Sequence, residues 1–150
     1  MAGGFRPVQD ISGGSYTGKV QTFSVAAGHT TLLAVGDLVR ITGTADANGL
    51  AGLAISTAGT VKVATDPMIL LEAISSTTVA VTDVGGNAEI VATEATASGG
   101  LVNSNMTVNT GTVIAGTAQI RIEGLKDGGT AAGTTLYCRI NESTTNTVGI

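Results

Sequence analysis

The sequence offers one histidine, His29, and one cysteine, Cys138, for nucleophilic chemistry. Such catalysis needs a base held beside the nucleophile and a third group to orient it. His29 sits in a Gly-His-Thr-Thr turn, and Cys138 alternates with Leu136 and Ile140 along a strand pattern. That pattern predicts a buried, inert thiol and a surface turn histidine. A single Cys and a single His supply no thiolate or imidazole metal cluster. The nearest approach to an oxygen-only calcium loop, Asp46-Ala-Asn48-Gly49, lacks a later Glu and reads as an Asx-rich turn. Eleven acidic residues could furnish a carboxylate pair for glycoside chemistry, but with no Trp and two Tyr there is little to stack a sugar on. The glycine-rich Lys126-Asp127-Gly128-Gly129-Thr130 run lacks the order of a phosphate cradle and opens no helix. The expectation is no enzyme, no metal and no cofactor.

The elements that would position any site are strands. Helical spacing of apolar residues is almost absent, and β-branched residues dominate. Two stretches alternate strictly. In 118–123, Ile120 and Ile122 point in, with Arg121 and Glu123 out. In 135–140, Leu136, Cys138 and Ile140 point in. A long loop joins the two, and antiparallel pairing could set Glu123 across from Arg139. Residues 68–74 form the most apolar stretch and read as a strand buried on both faces. Further strands are expected at 19–25, 38–42, 53–56, 60–64, 77–81 (Val79 and Val81 inward) and 89–93. Tight turns are expected at Gly36-Asp37 and Gly85-Gly86, with a loop over 43–52. About nine to eleven short strands at regular spacing make the pattern of an all-β protein. The predicted fold is a single compact antiparallel β-barrel or sandwich over 19–150, with an extended N-terminal arm over 1–18.

A chain of 150 residues suits one domain with a real core. That core must be built from small aliphatics, since aromatics are 3% of the sequence. Charged residues make up 12%, about half the usual share. Thr, Ser, Asn and Gly must then form the surface, which suits a subunit of an assembly better than a free monomer. The net charge of −4, with seven basic residues scattered and no run, argues against a nucleic-acid surface. No signal peptide is expected, because no basic segment precedes an apolar one. The longest apolar run, from Met68 to Leu71, stops at Glu72, so no membrane span is expected.

The first eighteen residues are the exception to this monotony. Phe5 and Tyr16 lie within them and Phe23 just beyond, so that only Tyr137 of the four aromatics lies elsewhere. Five glycines and Pro7 argue against regular structure here. Aromatic and Arg side chains are enriched at interface anchors. One reading is therefore a docking arm, with Phe5, Arg6, Pro7 and Tyr16 as partner-binding residues. The other is a terminus whose Phe5 and Tyr16 fold back over one end of the body.

The order of features resembles a known group. Gly4-Phe5-Arg6-Pro7-Val8-Gln9, then Gly13-Gly14-Ser15-Tyr16-Thr17-Gly18, and Val35-Gly36-Asp37-Leu38-Val39 resemble small head proteins of tailed bacteriophages. The close is similar too: Ile120-Arg-Ile-Glu-Gly-Leu125, a glycine-rich loop, and Leu136-Tyr-Cys-Arg-Ile-Asn141. Proteins of that group decorate the outer surface of the capsid. The resemblance implies a non-enzymatic virion protein, made in the host cytoplasm, that clamps neighbouring subunits of the major capsid protein. It also implies a homo-oligomer, a trimer ahead of a dimer. A head fibre, tail or joining subunit would share the composition, and a free β-sandwich binding module or a small hydrolase is the reading from a different class.

Overall fold

A computed structural model describes residues 3–16, 18–25, 33–39, 41–45, 51–53, 59–66, 68–95, 102–116 and 118–141. They contain β1 (Arg6–Asp10), β2 (Val20–Val25), β3 (Ile41–Ala45), β4 (Ala51–Leu53), β5 (Gly59–Ala64) and β6 (Ile69–Ile74). These are followed by β7 (Asn87–Ala88), β8 (Ile90–Val91), β9 (Thr107–Val108), β10 (Ile120–Leu125) and β11 (Thr135–Ile140). The one helical element among the described residues is a 3-10 turn, Val81–Asp83.

The two strictly alternating stretches form the centre of the main sheet. β10 pairs antiparallel with β11, Ile120 opposite Ile140 and Ile122 opposite Cys138. Side chains two apart share a face. Ile120, Ile122, Leu136 and Cys138 accordingly turn to one side and are fully buried. β6 pairs with the free edge of β11, and β1 with the far edge of β6, both antiparallel. The short β7 closes the other side, giving the order β1-β6-β11-β10-β7. Both edges of this sheet are open in the order of strands, so the fold is sandwich-like rather than a closed barrel.

The core lies on one face of this sheet. Ile69, Leu71 and Ala73 of β6 join the four residues above, with Phe5, Val79, Ala88 and Val108. Aliphatic side chains do most of the packing, as the composition requires. A second sheet has the order β3-β4-β2-β5. β2 pairs antiparallel with β5 along its whole length, from Val20 opposite Ala64 to Val25 opposite Gly59, and buries Phe23. Its contact with β4 is parallel. β8 and β9 form a small antiparallel pair.

Several expectations shift. The strand expected over 38–42 is β3, at Ile41–Ala45, and β3 and β4 take up parts of the expected 43–52 loop. The 89–93 strand shortens to β8, Ile90–Val91, and the preceding β7, Asn87–Ala88, takes a different partner. Ala88 of β7 faces Ile120, whereas Ile90 of β8 faces Val108. The strand expected over 77–81 does not form. Val79 is buried as expected, but Val81 is 68% exposed. The cause is Asp83, whose carboxylate accepts the Ala80 N–H at 2.7 Å while its own N–H bonds the Ala80 carbonyl. A side chain that bonds nearby backbone pulls the chain into a turn.

The N-terminal segment also departs from irregular backbone, since β1 is an edge strand of the main sheet. Pro7 is tolerated there because an edge strand need not donate on both sides. Two glycines fix the approach. The Phe5 N–H bonds the Gly36 carbonyl at 2.8 Å, and the Gly4 N–H bonds the Met106 carbonyl at 2.8 Å. Gly4 has φ +99° and Gly36 φ +97°, a region that L side chains avoid. A Cβ on Gly4 would stand 2.8 Å from the Ser104 Cβ. The chain can thus thread between the Gly36 turn and residues 104–106 and deliver the Phe5 ring to the core.

Phe5→Ala tests that placement. A ring on a free arm could be removed with no loss of stability. A core ring should cost about 3–5 kcal/mol on removal, read as a lower urea midpoint at unchanged slope.

Candidate interaction surface

The four residues singled out in the N-terminal segment go to different places. Phe5 is 5% exposed and belongs to the core. Of the two readings of this segment, the fold-back is the one whose geometry the structure contains for Phe5. Pro7 stands opposite Leu71 and is half-buried. Tyr16 packs partly against the core, and its hydroxyl donates to the Lys19 carbonyl at 3.2 Å. Desolvation, with a smaller contribution from Asp66, raises the Tyr16 phenol above its ordinary value. Lys19 in turn lies 3.3 Å from Asp66, whose other carboxylate oxygen accepts the Met68 N–H. Tyr16 and Lys19 are thereby fastened to the residues just before β6. Arg6 is the exposed member of the four.

Arg6 leads to the most unusual group in the described structure. It stands opposite Glu72 in the β1–β6 register and forms an ion pair with it. Glu72 is 2% exposed, although it points away from the core between Leu71 and Ala73. Its other oxygen receives the Lys126 ammonium at 2.6 Å. Burial pushes the Glu72 carboxyl upward, but hydrogen bonds and charge from Lys126 and Arg6 outweigh it and hold the carboxyl below its ordinary value. The bond to Glu72 correspondingly raises the Lys126 ammonium. A carboxylate withdrawn from water needs such partners.

A second cluster lies on the same face. Arg121 and Arg139 are direct cross-strand partners, an arrangement that repels. A register shift between Ile122 and Gly124 leaves Glu123 free to serve both. Its Oε1 is 2.7 Å from Arg139 Nε and 3.4 Å from Arg121 Nε. The anticipated meeting of Glu123 and Arg139 therefore occurs, through a bulge instead of regular pairing. Tyr137 sits between the clusters, opposite Glu72 on one side and Gly124 on the other.

Cys138 is where alternation put it. It is fully buried, its thiol donates to the Leu71 carbonyl at 3.6 Å, and burial pushes its pKa up to about 12. His29 and Asp46 lie outside the described residues. Among the described residues no group of three or more His, Cys, Asp or Glu side chains could hold a metal. None of their helices is long and apolar enough to cross a membrane.

Sequence reasoning reached Arg6, Arg121, Glu123 and Arg139 but missed the role of Glu72. The signal was present, since Glu72 is the acid that interrupts the most apolar run of the chain. Comparison with protein-family models, with curated proteins and with solved structures found no match to this chain.

Two outcomes follow from these environments. Glu72 has a depressed folded pKa, so its contribution is complete above the ordinary value of 4.5 and is lost as pH falls through the folded value. Glu72→Gln should lower the melting temperature at neutral pH, and the gap to wild type should close as pH falls below 4.5. A gap that stays constant to low pH would show that the carboxylate charge is not what matters. Cys138 should resist a thiol reagent in the native protein at pH 8 and react fully in denaturant.

Proposed function

We propose that this chain is a structural subunit of a tailed-phage virion, a decoration protein that binds the outer surface of the capsid and clamps neighbouring major capsid subunits. The supporting observation is the spatial assembly of the stretches that resemble such proteins. The Gly4-Phe5 pair bonds the Gly36 turn, although some thirty residues separate them. Arg6 pairs with Glu72 on β6, and β6 pairs with β11, the closing stretch of the resemblance. Segments from both ends and from the Val35–Val39 region thus build one continuous piece of structure.

The composition fits the same role. A low-charge Thr and Gly surface is tolerable where assembly covers it. A subunit that binds only the assembled shell stabilises it by mass action, by about 2.7 kcal/mol per site when its concentration is a hundredfold its Kd. Many such sites on one particle act together. In this reading the chain is a homo-oligomer, a trimer ahead of a dimer, and has no catalytic activity of its own.

The test is co-sedimentation of the purified chain with expanded capsids of the phage that encodes it, beside its oligomeric state by light scattering. Saturable attachment and a higher shell melting temperature are expected. A chain that remains monomeric and stays in the supernatant would sink the reading. An elongated trimer in small-angle scattering, with no attachment to shells, would point to a fibre subunit instead.

A further inference from the structure

The basic residues are scattered in the sequence but gathered in the fold. Four of the seven, Arg6, Arg121, Lys126 and Arg139, stand on the outward face of the five-stranded sheet. Two carboxylates, Glu72 and Glu123, stand among them. Each carboxylate is shared by two cations, so among the described residues each cluster keeps one positive charge in excess of its carboxylate. The remainder of the chain holds three basic and nine acidic residues. This face is therefore the positive exception on an acidic protein.

The surplus is accessible. The side chains of Arg6, Arg121, Lys126 and Arg139 are 62%, 38%, 36% and 38% exposed; the Glu72 side chain beneath Arg6 and Lys126 is 3% exposed, and that of Glu123 beside the other two is 34% exposed. The cations are also held in place. Glu72 fixes Arg6 and Lys126 from below, and Glu123 fixes Arg121 and Arg139. Cations already ordered lose less freedom when a ligand arrives. Between the clusters the half-buried Tyr137 offers a ring and a hydroxyl. Glu72 and Glu123 lie two strands apart, which sets the clusters roughly 10 Å from each other.

We propose that the outward face of the five-stranded sheet is a docking surface for an acidic segment of a partner protein, bound by the unshared charge of the Arg6–Glu72–Lys126 and Arg121–Glu123–Arg139 clusters. Charge complementarity selects the occupant. Two surplus charges, with carboxylates embedded among them, are too few to hold a nucleic-acid backbone, which repels Glu72 and Glu123 and the acidic remainder of the chain. A protein segment can place just two carboxylates at about this separation, one on each surplus charge, and bring no continuous row of further anions against Glu72, Glu123 and the acidic remainder. The proposal does not depend on the particle reading. It holds for any partner that carries such a segment.

The shared carboxylate gives a test with two signs. The probe is a fluorescent oligo-aspartate peptide, titrated with the full chain at low and at 0.5 M salt. Arg121→Gln leaves Arg139 and Glu123 as a neutral pair and should weaken binding roughly twofold to fivefold. Glu123→Gln leaves both arginines unshared and should tighten binding by a similar factor, although it lowers the melting temperature through their repulsion. Salt should abolish binding in every case. A loss of scaffold would move both variants the same way, so equal weakening overturns the proposal. So does a failure of the wild-type chain to bind the peptide at low salt. Tighter binding to an oligothymidylate than to the peptide would assign the face to nucleic acid. Concentration-dependent self-association that Arg121→Gln removes would assign it to a second copy of the chain.

Discussion

A carboxylate that cannot reach water organises the main sheet. Glu72 sits in the central part of β6 with its oxygens shared between Arg6 on the edge strand and Lys126 just past β10. Removing a carboxylate from water is tolerable only where hydrogen bonds and opposite charge replace the solvent. The need for those partners pins β1 against β6 in one register and brings the end of β10 over β6, across β11. An apolar residue at the same position would leave the strand content intact and remove one of the contacts that hold the edge strand in register, beside the Phe5 ring and the bonds to the Gly36 turn. Buried ion pairs are weak sources of net stability, whereas removing one partner leaves an uncompensated buried charge.

The legible parts of the fold were those where burial on one face and solvent on the other impose a period of two. β10 and β11 are such strands, and Ile120, Ile122, Leu136 and Cys138 face inward as their spacing indicates. β6 was legible by the opposite sign, a run with almost no polar residue. Residues 77–81 misled because one carboxylate, Asp83, overrides the alternation by bonding backbone nearby. The N-terminal segment misled for a related reason. Glycines that usually mark loose backbone here permit a close approach to the Gly36 turn, and the turn lies far off in sequence. Glu72 was visible as an interruption of an apolar run, but its two cationic partners lie 66 and 54 residues away. Nothing local could pair them.

Low charge and a small aliphatic core are two sides of one economy. With few aromatics, the core must be thin and its strands must lie close, which the Ala73 and Ala88 positions permit. With few charges, those present acquire definite neighbours. All five ion pairs among the described residues involve the main sheet or the strap from Lys19 to Asp66 that leads into it. The charge that remains is correspondingly well placed, and it accumulates on the face that the core does not use.

The strand order β1-β6-β11-β10-β7 also fixes a timetable. The sheet's first strand in sequence occupies its edge, and the last strand in sequence lies near its middle. Only β10 and β11 are joined by a direct hairpin. β1 leaves the ribosome early, yet its partner β6 follows some sixty residues later, and β6 has no second neighbour until β11 is made. Pairings of such long range close slowly, because loop entropy is lost before contacts reward it. The nascent chain must therefore carry β1 unpaired until β6 is made, and β6 with one open edge until β11 follows. Pro7 within β1 and the glycines that flank it keep that strand short and poor at self-pairing, which protects it during the wait.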